Sequence, residues 1–297
     1  MYGDKLKEGV RNETIQKRVI KNQLFRGTLI LSSLIVIMPL ILIFVFLLQK
    51  GSTSLSLDFF LNDPKPVGEV GGGMRHAIIG TLMMVALGSF IAVPVGTLCG
   101  VYLSEYGKGK IAQSLRFTID LLTGVPSIVV GIFSYLIFVV SFKSFSALAG
   151  AFALSIIILP IVTRTTEEIL KLIPRHVREA GLALGLPRWR VIWNIILRGS
   201  RNSLTTGVIL AISRAAGETA PLLFTAFGSM YLSFQVTGPM ASLPVQIYNY
   251  AISPYKDWQQ QAWAGSFTLI IIVLGLNLSA KFLFNTKKLK KFFVRKS

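Results

Sequence analysis

The chain has 297 residues, 52% of them apolar, with a mean hydropathy of +0.62, and several apolar runs approach the length of a membrane-spanning helix; this excludes a soluble globular protein and predicts a polytopic membrane protein. A formal charge of +18 invites nucleic acid as a partner, so the placement of the 31 basic residues has to decide. One cysteine and two histidines exclude an internal disulfide and a histidine- or cysteine-based metal or catalytic cluster.

Residues 1–26 are charged and mixed in sign, with Lys5, Lys7, Arg11, Lys17, Arg18, Lys21 and Arg26 against Asp4, Glu8 and Glu13, and read as a cytoplasmic, partly helical tail. The apolar run from Gly27 is longer than the core of a secretory signal, and Gln49-Lys50-Gly51-Ser52 offers no cleavage site, so it is an uncleaved first span. Six spans fit: 27–48, 77–103, 121–142, 145–162, 204–227 and 264–284. With both termini cytoplasmic, 25 basic residues fall on the inner side and five on the outer, and Arg214 lies inside a span. That bias fixes the orientation and accounts for the charge with no nucleic acid, leaving the lipid bilayer as the partner of the basic surfaces. The expected organisation is a tail over 1–26, a six-helix membrane domain over 27–284 with a cytoplasmic loop at 163–203, and a basic cytoplasmic tail over 285–297 lying on anionic lipid.

Gly51 to His76 forms an outer connection containing Gly71-Gly72-Gly73. No Gly-Lys-Ser/Thr follows the glycines, so they serve flexibility or close helix approach and do not cradle phosphate. His76 has no partner at metal spacing and reads as an interfacial histidine, and Cys99 as a small core residue. Gly96 and Gly100 follow the small-xxx-small pattern of close helix contact. Gly124 and Pro126 break or kink the third span near its inner end, either as a plain helix start or with N–H groups turned toward an anion. Arg164, at the inner mouth after Pro160, either pairs with Glu167 or Glu168 or helps hold an anion. The last outer loop carries Tyr231, Phe234, Tyr248, Tyr250, Tyr255, Trp258 and Trp263, which suits a membrane interface or a docking surface.

From Arg178 to Phe227 a polar, arginine-rich segment runs into an apolar span. Gly185 suits a left-handed helix stop, and Leu186-Pro187 leads into a new helix whose first turn tolerates proline. The result is a helix, a sharp corner and a second helix. Small residues Ala180, Gly181 and Ala183 would let the first helix sit in a groove of another protein; the competing reading lays the loop on lipid headgroups through Trp189 and Trp193. Within the apolar half, Arg214 and Glu218 are four residues apart on one helix face. Charges at such depth mark the path of a substrate or ion, or form a packing pair. Gly217 and Pro221 loosen the helix beyond them, where irregular backbone is tolerated only beside a cavity or within protein.

Glu179-Ala180-Gly181, followed after three residues by Gly185 and after nine more by Ile195-x-Leu197, resembles the EAA loop by which bacterial import permeases dock on ATP-hydrolysing subunits. This chain has Gly181 where that pattern has Ala, and Arg198 where it usually has Pro. Gly72 to Ile78, Leu122 to Gly131, Arg164 to Glu167 and Ser213 to Ala226 (SRAAGETAPLLFTA) together resemble the permease subunits of phosphate-importing ABC transporters. The resemblance implies an all-α polytopic fold of the ABC importer permease type in the bacterial cytoplasmic membrane. It also implies a homologous second permease, two ATP-binding subunits on the cytoplasmic face, an extracellular phosphate-binding protein, and inorganic phosphate as cargo. The coupling residues would be Glu179, Ala180, Gly181, Gly185, Leu186 and Pro187, and the substrate path Arg214, Glu218, Thr219 and Arg164. No G-x-x-x-x-G-K-[ST] occurs, so the chain is expected to be no enzyme, with no catalytic residue, metal or cofactor of its own and with ATP hydrolysis supplied by partners. Another tetrahedral oxyanion, molybdate or sulfate, is the alternative cargo.

Overall fold

A computed structural model describes the backbone of residues 2–66, 69 and 71–284, and side chains from 17 to 279 except 53, 67, 68 and 70. The basic tail expected over 285–297 lies outside the described residues. All regular structure among the described residues is helical, in two compact units, residues 1–52 and 53–297.

The first unit is one helix, α1 (Tyr2–Thr53), which runs without a break through both the expected tail and the first span. Between Leu29 and Val45 its apolar side chains are exposed all round, the pattern of a helix meant for lipid or protein and not for water. The part from Lys17 to Ser52 is long and apolar enough to cross a membrane.

The second unit opens with α2 (Leu57–Leu61), whose last carbonyls accept from the chain as it enters α3 (Arg75–Glu105): Met74 N–H donates to Phe59 and Arg75 N–H to Asn62. Gly73 is required there, because a Cβ would lie 2.5–2.6 Å from the carbonyl oxygens of Phe59, Asn62 and Asp58. The Gly71–Gly73 run is thus a close-approach device. Next come α4 (Lys110–Gly124) and α5 (Ser127–Ser134), which continues through a π-helical stretch, Tyr135–Val139, into α6 (Val140–Phe142). The central helix is α7 (Ala147–Lys171), the most buried of the apolar helices. After it, α8 (Arg175–Ala183) and α9 (Arg188–Arg190) lead through a second π-helical stretch, Val191–Leu197, into α10 (Arg198–Ala216). Then α11 (Ala220–Thr225), α12 (Leu243–Ala251) and α13 (Lys256–Phe284) complete the unit.

The core forms where α3 lies along α7. Gly88, Gly96 and Gly100 bring the two backbones together: a Cβ on Gly88 would stand 2.7 Å from the Ala151 oxygen, and one on Gly100 2.6 Å from Thr166 Cβ. This is the small-residue contact expected at Gly96 and Gly100, extended by two further turns. α10 packs against α7, with Gly207 on Thr165, and also touches α3. At the end remote from α8, Leu243 N–H donates to Thr81 Oγ1 at 2.6 Å, and Tyr250 is buried and stacked on Trp258 at 4.5 Å. Tyr250 is therefore core, while Tyr231, Phe234, Tyr248 and Tyr255 of the same aromatic set are exposed.

Four single helices are long and apolar enough to cross a membrane: Lys17–Ser52, Arg75–Glu105, Ala147–Lys171 and Lys256–Ser279. The expected span 121–142 is broken by a bend of 102° between α4 and Ser127–Phe142, and counts as a fifth if the bent pair is one span. Pro126 drives that break, since the residue before a proline is pushed to extended backbone and Val125 has φ −69° and ψ 128°. The expected span 204–227 is also interrupted. α10, with Arg198, Arg201 and Arg214, stops at Gly217, and Pro221 opens α11 in its first turn.

Candidate functional site

The loop at the α8 end folds as its spacing predicts. Gly185 has φ +77°, Leu186 N–H donates to the Gly181 oxygen and Gly185 N–H to the Leu182 oxygen. These two bonds make a Schellman stop at the end of α8. Pro187 precedes Arg188 and starts the second helix, with Val191 N–H donating back to its carbonyl at 3.2 Å. Glu179, Ala180, Gly185 and Pro187 are exposed and Leu186 is half-buried. Gly181 is buried, because it faces inward: a Cβ there would lie 2.9 Å from Val191 Cγ2 and 3.1 Å from Ile195 Cδ1. Its smallness serves the corner's own packing and not an outward groove. Around it Leu182, Leu184 and Trp189 are exposed, Leu184 at 80%.

Two arginines that sequence reading passed over tie this end together. Arg178, on α8, holds Glu105 at the end of α3 through Nε and Nη2 at 2.6–3.2 Å, and donates to the carbonyls of Leu170 (2.9 Å) and Ile173 (2.6 Å). Hydrogen bonding to Glu105 raises the Arg178 pKa, against partial burial, so the guanidinium stays charged. Arg116, on α4, donates to Glu167 of α7 at 2.7 Å and to the Leu103 and Gly107 carbonyls at the end of α3. Glu167 is 1% exposed and also meets Lys171 at 2.6 Å. Arg164 lies 3.0 Å from Glu168, 3.6 Å from Glu167 and 3.9 Å from Asp120. Of its two expected roles the structure displays the pairing one.

Arg214 differs. Gly207 of α10 lies against Thr165, next to Arg164, and Arg214 stands two turns beyond, about 10 Å further from the α8 end. Its side chain is 64% exposed and its one ion pair among the described residues, with Glu218, is long at 4.0 Å. The Arg214 carbonyl accepts from Gly217 N–H, but its guanidinium donates no hydrogen bond among the described residues, so its planar set of donors is left exposed. The backbone beside it is irregular: Gly217 ends α10, and Thr219, half-buried with no hydroxyl bond to its own helix, precedes α11. Arg214, Glu218 and Thr219 are thus together at the break, while Arg164 belongs to a separate ion-pair group nearer α8. No cluster of histidine, cysteine and carboxylates suited to a metal occurs among the described residues.

Residues 92–286 match the model of the family described as binding-protein-dependent transport system inner membrane component. The phosphate transport system permease protein PstA of Pasteurella multocida is 44% identical over 271 residues, which cover 91% of this chain and 96% of that protein. The chain belongs to the PstA family. Another PstA, from Haemophilus influenzae, is 43% identical over 91% of this chain and 96% of its own length, and PstA 1 of Mycobacterium tuberculosis is 35% identical over 89% and 88%. As a PstA-family permease it is a multi-pass inner membrane protein, and its fold has solved counterparts. A bacterial alginate ABC transporter chain aligns with TM-score 0.62 over 90% of this chain and 97% of its own, at 13% identity. A chain of the inward-facing MetNI methionine ABC transporter aligns with TM-score 0.56 over 72% and 94%, at 17% identity. At these identities the solved chains show the fold alone, an ABC transporter permease, and the PstA relatives are what tie this chain to its branch.

Proposed function

We propose that this chain is one of two homologous permeases that form the path of an ATP-driven importer of inorganic phosphate. The observation that carries the reading is the 44% identity, over nearly the whole of both chains, to a permease named for phosphate transport. In this reading the α8 end is cytoplasmic, both termini are cytoplasmic, and two ATP-binding subunits dock there on Glu179, Ala180, Gly185 and Pro187. An extracellular phosphate-binding protein delivers cargo to the opposite end. Exposed Leu184 and Trp189 beside those residues supply the apolar contact that a partner surface needs.

Arg214 meets the anion in transit. A guanidinium offers phosphate two parallel charge-assisted hydrogen bonds, and an exposed one beside interrupted helix has donors to offer. Glu218, 18% exposed and 4.0 Å away, limits how tightly the anion is held and so permits release. ATP closes the motor subunits, the α8 end moves, and the path alternates between outward and inward access. The test is uptake of labelled phosphate by proteoliposomes containing the whole complex, with ATP supplied to the motor side. ATP-dependent uptake that excess phosphate suppresses and molybdate or sulfate does not is the expected result. Suppression by molybdate or sulfate in place of phosphate would reassign the cargo, and uptake without ATP would remove the motor.

A further inference from the structure

The Arg178–Glu105 contact joins elements that importer function requires to move. Arg178 belongs to α8 in the docking loop, Glu105 is the last residue of α3, and Leu170 and Ile173 stand at and just beyond the end of α7. One side chain therefore bonds three separate elements at once, through Nε, Nη1 and Nη2. Both partners are sheltered, with side-chain exposures of 22% for Arg178 and 8% for Glu105. Such a charge-assisted, multiply bonded contact is stronger and more directional than a surface ion pair. Arg116 does the same one turn away, linking α4, α7 and the Leu103 carbonyl of α3. Meanwhile α3 and α7 are locked along their length by the glycine contacts.

From this geometry we infer that Arg178 is a positioning residue for transport: its contacts with Glu105 and the end of α7 make the docking helix and the α3–α7 pair one rigid lever. The inference rests on the importer reading above and names the route by which force from the motor enters the membrane helices. Among the described residues α8 is otherwise held by the short Leu172–Pro174 turn and by the apolar stretch Val191–Leu197, which packs on Gly181 of α8 and on Leu170 of α7, and neither fixes orientation as a planar fork does. Without the fork, α8 can rock on its turn and part of each ATP-driven stroke is lost before it reaches α3.

The experiment uses the assembled complex in proteoliposomes on a Cys99→Ser background, with spin labels on Lys108→Cys and His176→Cys, both exposed and on opposite sides of the contact. Glu105→Gln removes the charge at constant shape, and Arg178→Lys keeps the charge and removes the fork. In the otherwise unaltered chain the label-to-label distance should be the same with and without ATP. In either variant it should broaden and become nucleotide-dependent, with phosphate moved per ATP hydrolysed falling about tenfold while hydrolysis continues. A distance that already changes with ATP in the unaltered chain would overturn the inference, and so would a variant that keeps the unaltered coupling ratio. Failure of the unaltered complex to import phosphate would defeat the importer reading alone, because the label distance still reports on the lever.

Discussion

Arg116, Lys171 and Arg164 surround Glu167, a carboxylate that is 1% exposed, and their charges are what make its burial tolerable. Glu167→Gln removes the shared partner of three cations; breaking one side of a buried pair costs about 3 kcal/mol, less whatever solvent recovers for the half-exposed Lys171. The expected outcome is a lower unfolding temperature of the detergent-solubilised permease, and an unchanged one would mean that water already carries these charges. Gly181 allows a graded test. Alanine there presses on both γ-methyls of the buried Val191 and should cost about 1 kcal/mol, whereas leucine should unseat α8 and abolish binding of the ATP-binding subunits in pull-down. Residue pairs were legible only where they were local. Arg214 and Glu218 share a helix face at four residues' spacing, and the structure pairs them. Arg116 with Glu167 is 51 residues apart and Arg178 with Glu105 is 73, so no periodicity could join them. The one signal available was an acidic residue closing the long apolar run at Glu105, which has to find a partner at the helix end.

Helix breaks followed from proline and glycine chemistry more faithfully than helix lengths did. Pro126, Gly185 and Gly217 each end an element where the sequence places a stop, because those residues alter backbone freedom irrespective of surroundings. Lengths were misjudged because tertiary packing extends a helix past its apolar run: α7 continues nine residues beyond 162 to reach Lys171, using Glu167 to bind Arg116. Gly100 and Gly185 give separable predictions for these elements. Gly100→Val drives a side chain into Thr166 and the Thr163 carbonyl, forcing α3 off α7 at a cost of about 3 kcal/mol or more, to be seen as loss of folded protein in size-exclusion profiles. Gly185→Val meets open space but must adopt φ +77°, a strain of about 1–2 kcal/mol. The bundle should therefore assemble normally while ATP hydrolysis and uptake fall out of step, and an intact ratio of the two would count against a coupling role for the corner.

Charge distribution and motor docking belong to the complete assembly in its membrane. In the proposed topology, with both termini and the α8 end cytoplasmic, 25 of the 31 basic residues fall on the inner side, so a reporter fused after Arg190 should signal from the cytoplasm; an outer signal would invert the topology. In the proposed reading the exposed Arg214 faces a second permease, with the anion between the two. The decisive measurement is ATP-driven uptake of labelled phosphate by proteoliposomes carrying the complex with Arg214→Lys. Lysine keeps the charge but not the two-pronged hydrogen bonding, so uptake should fall about tenfold while assembly and ATP hydrolysis persist. Uptake at the unaltered rate would place the anion's path elsewhere.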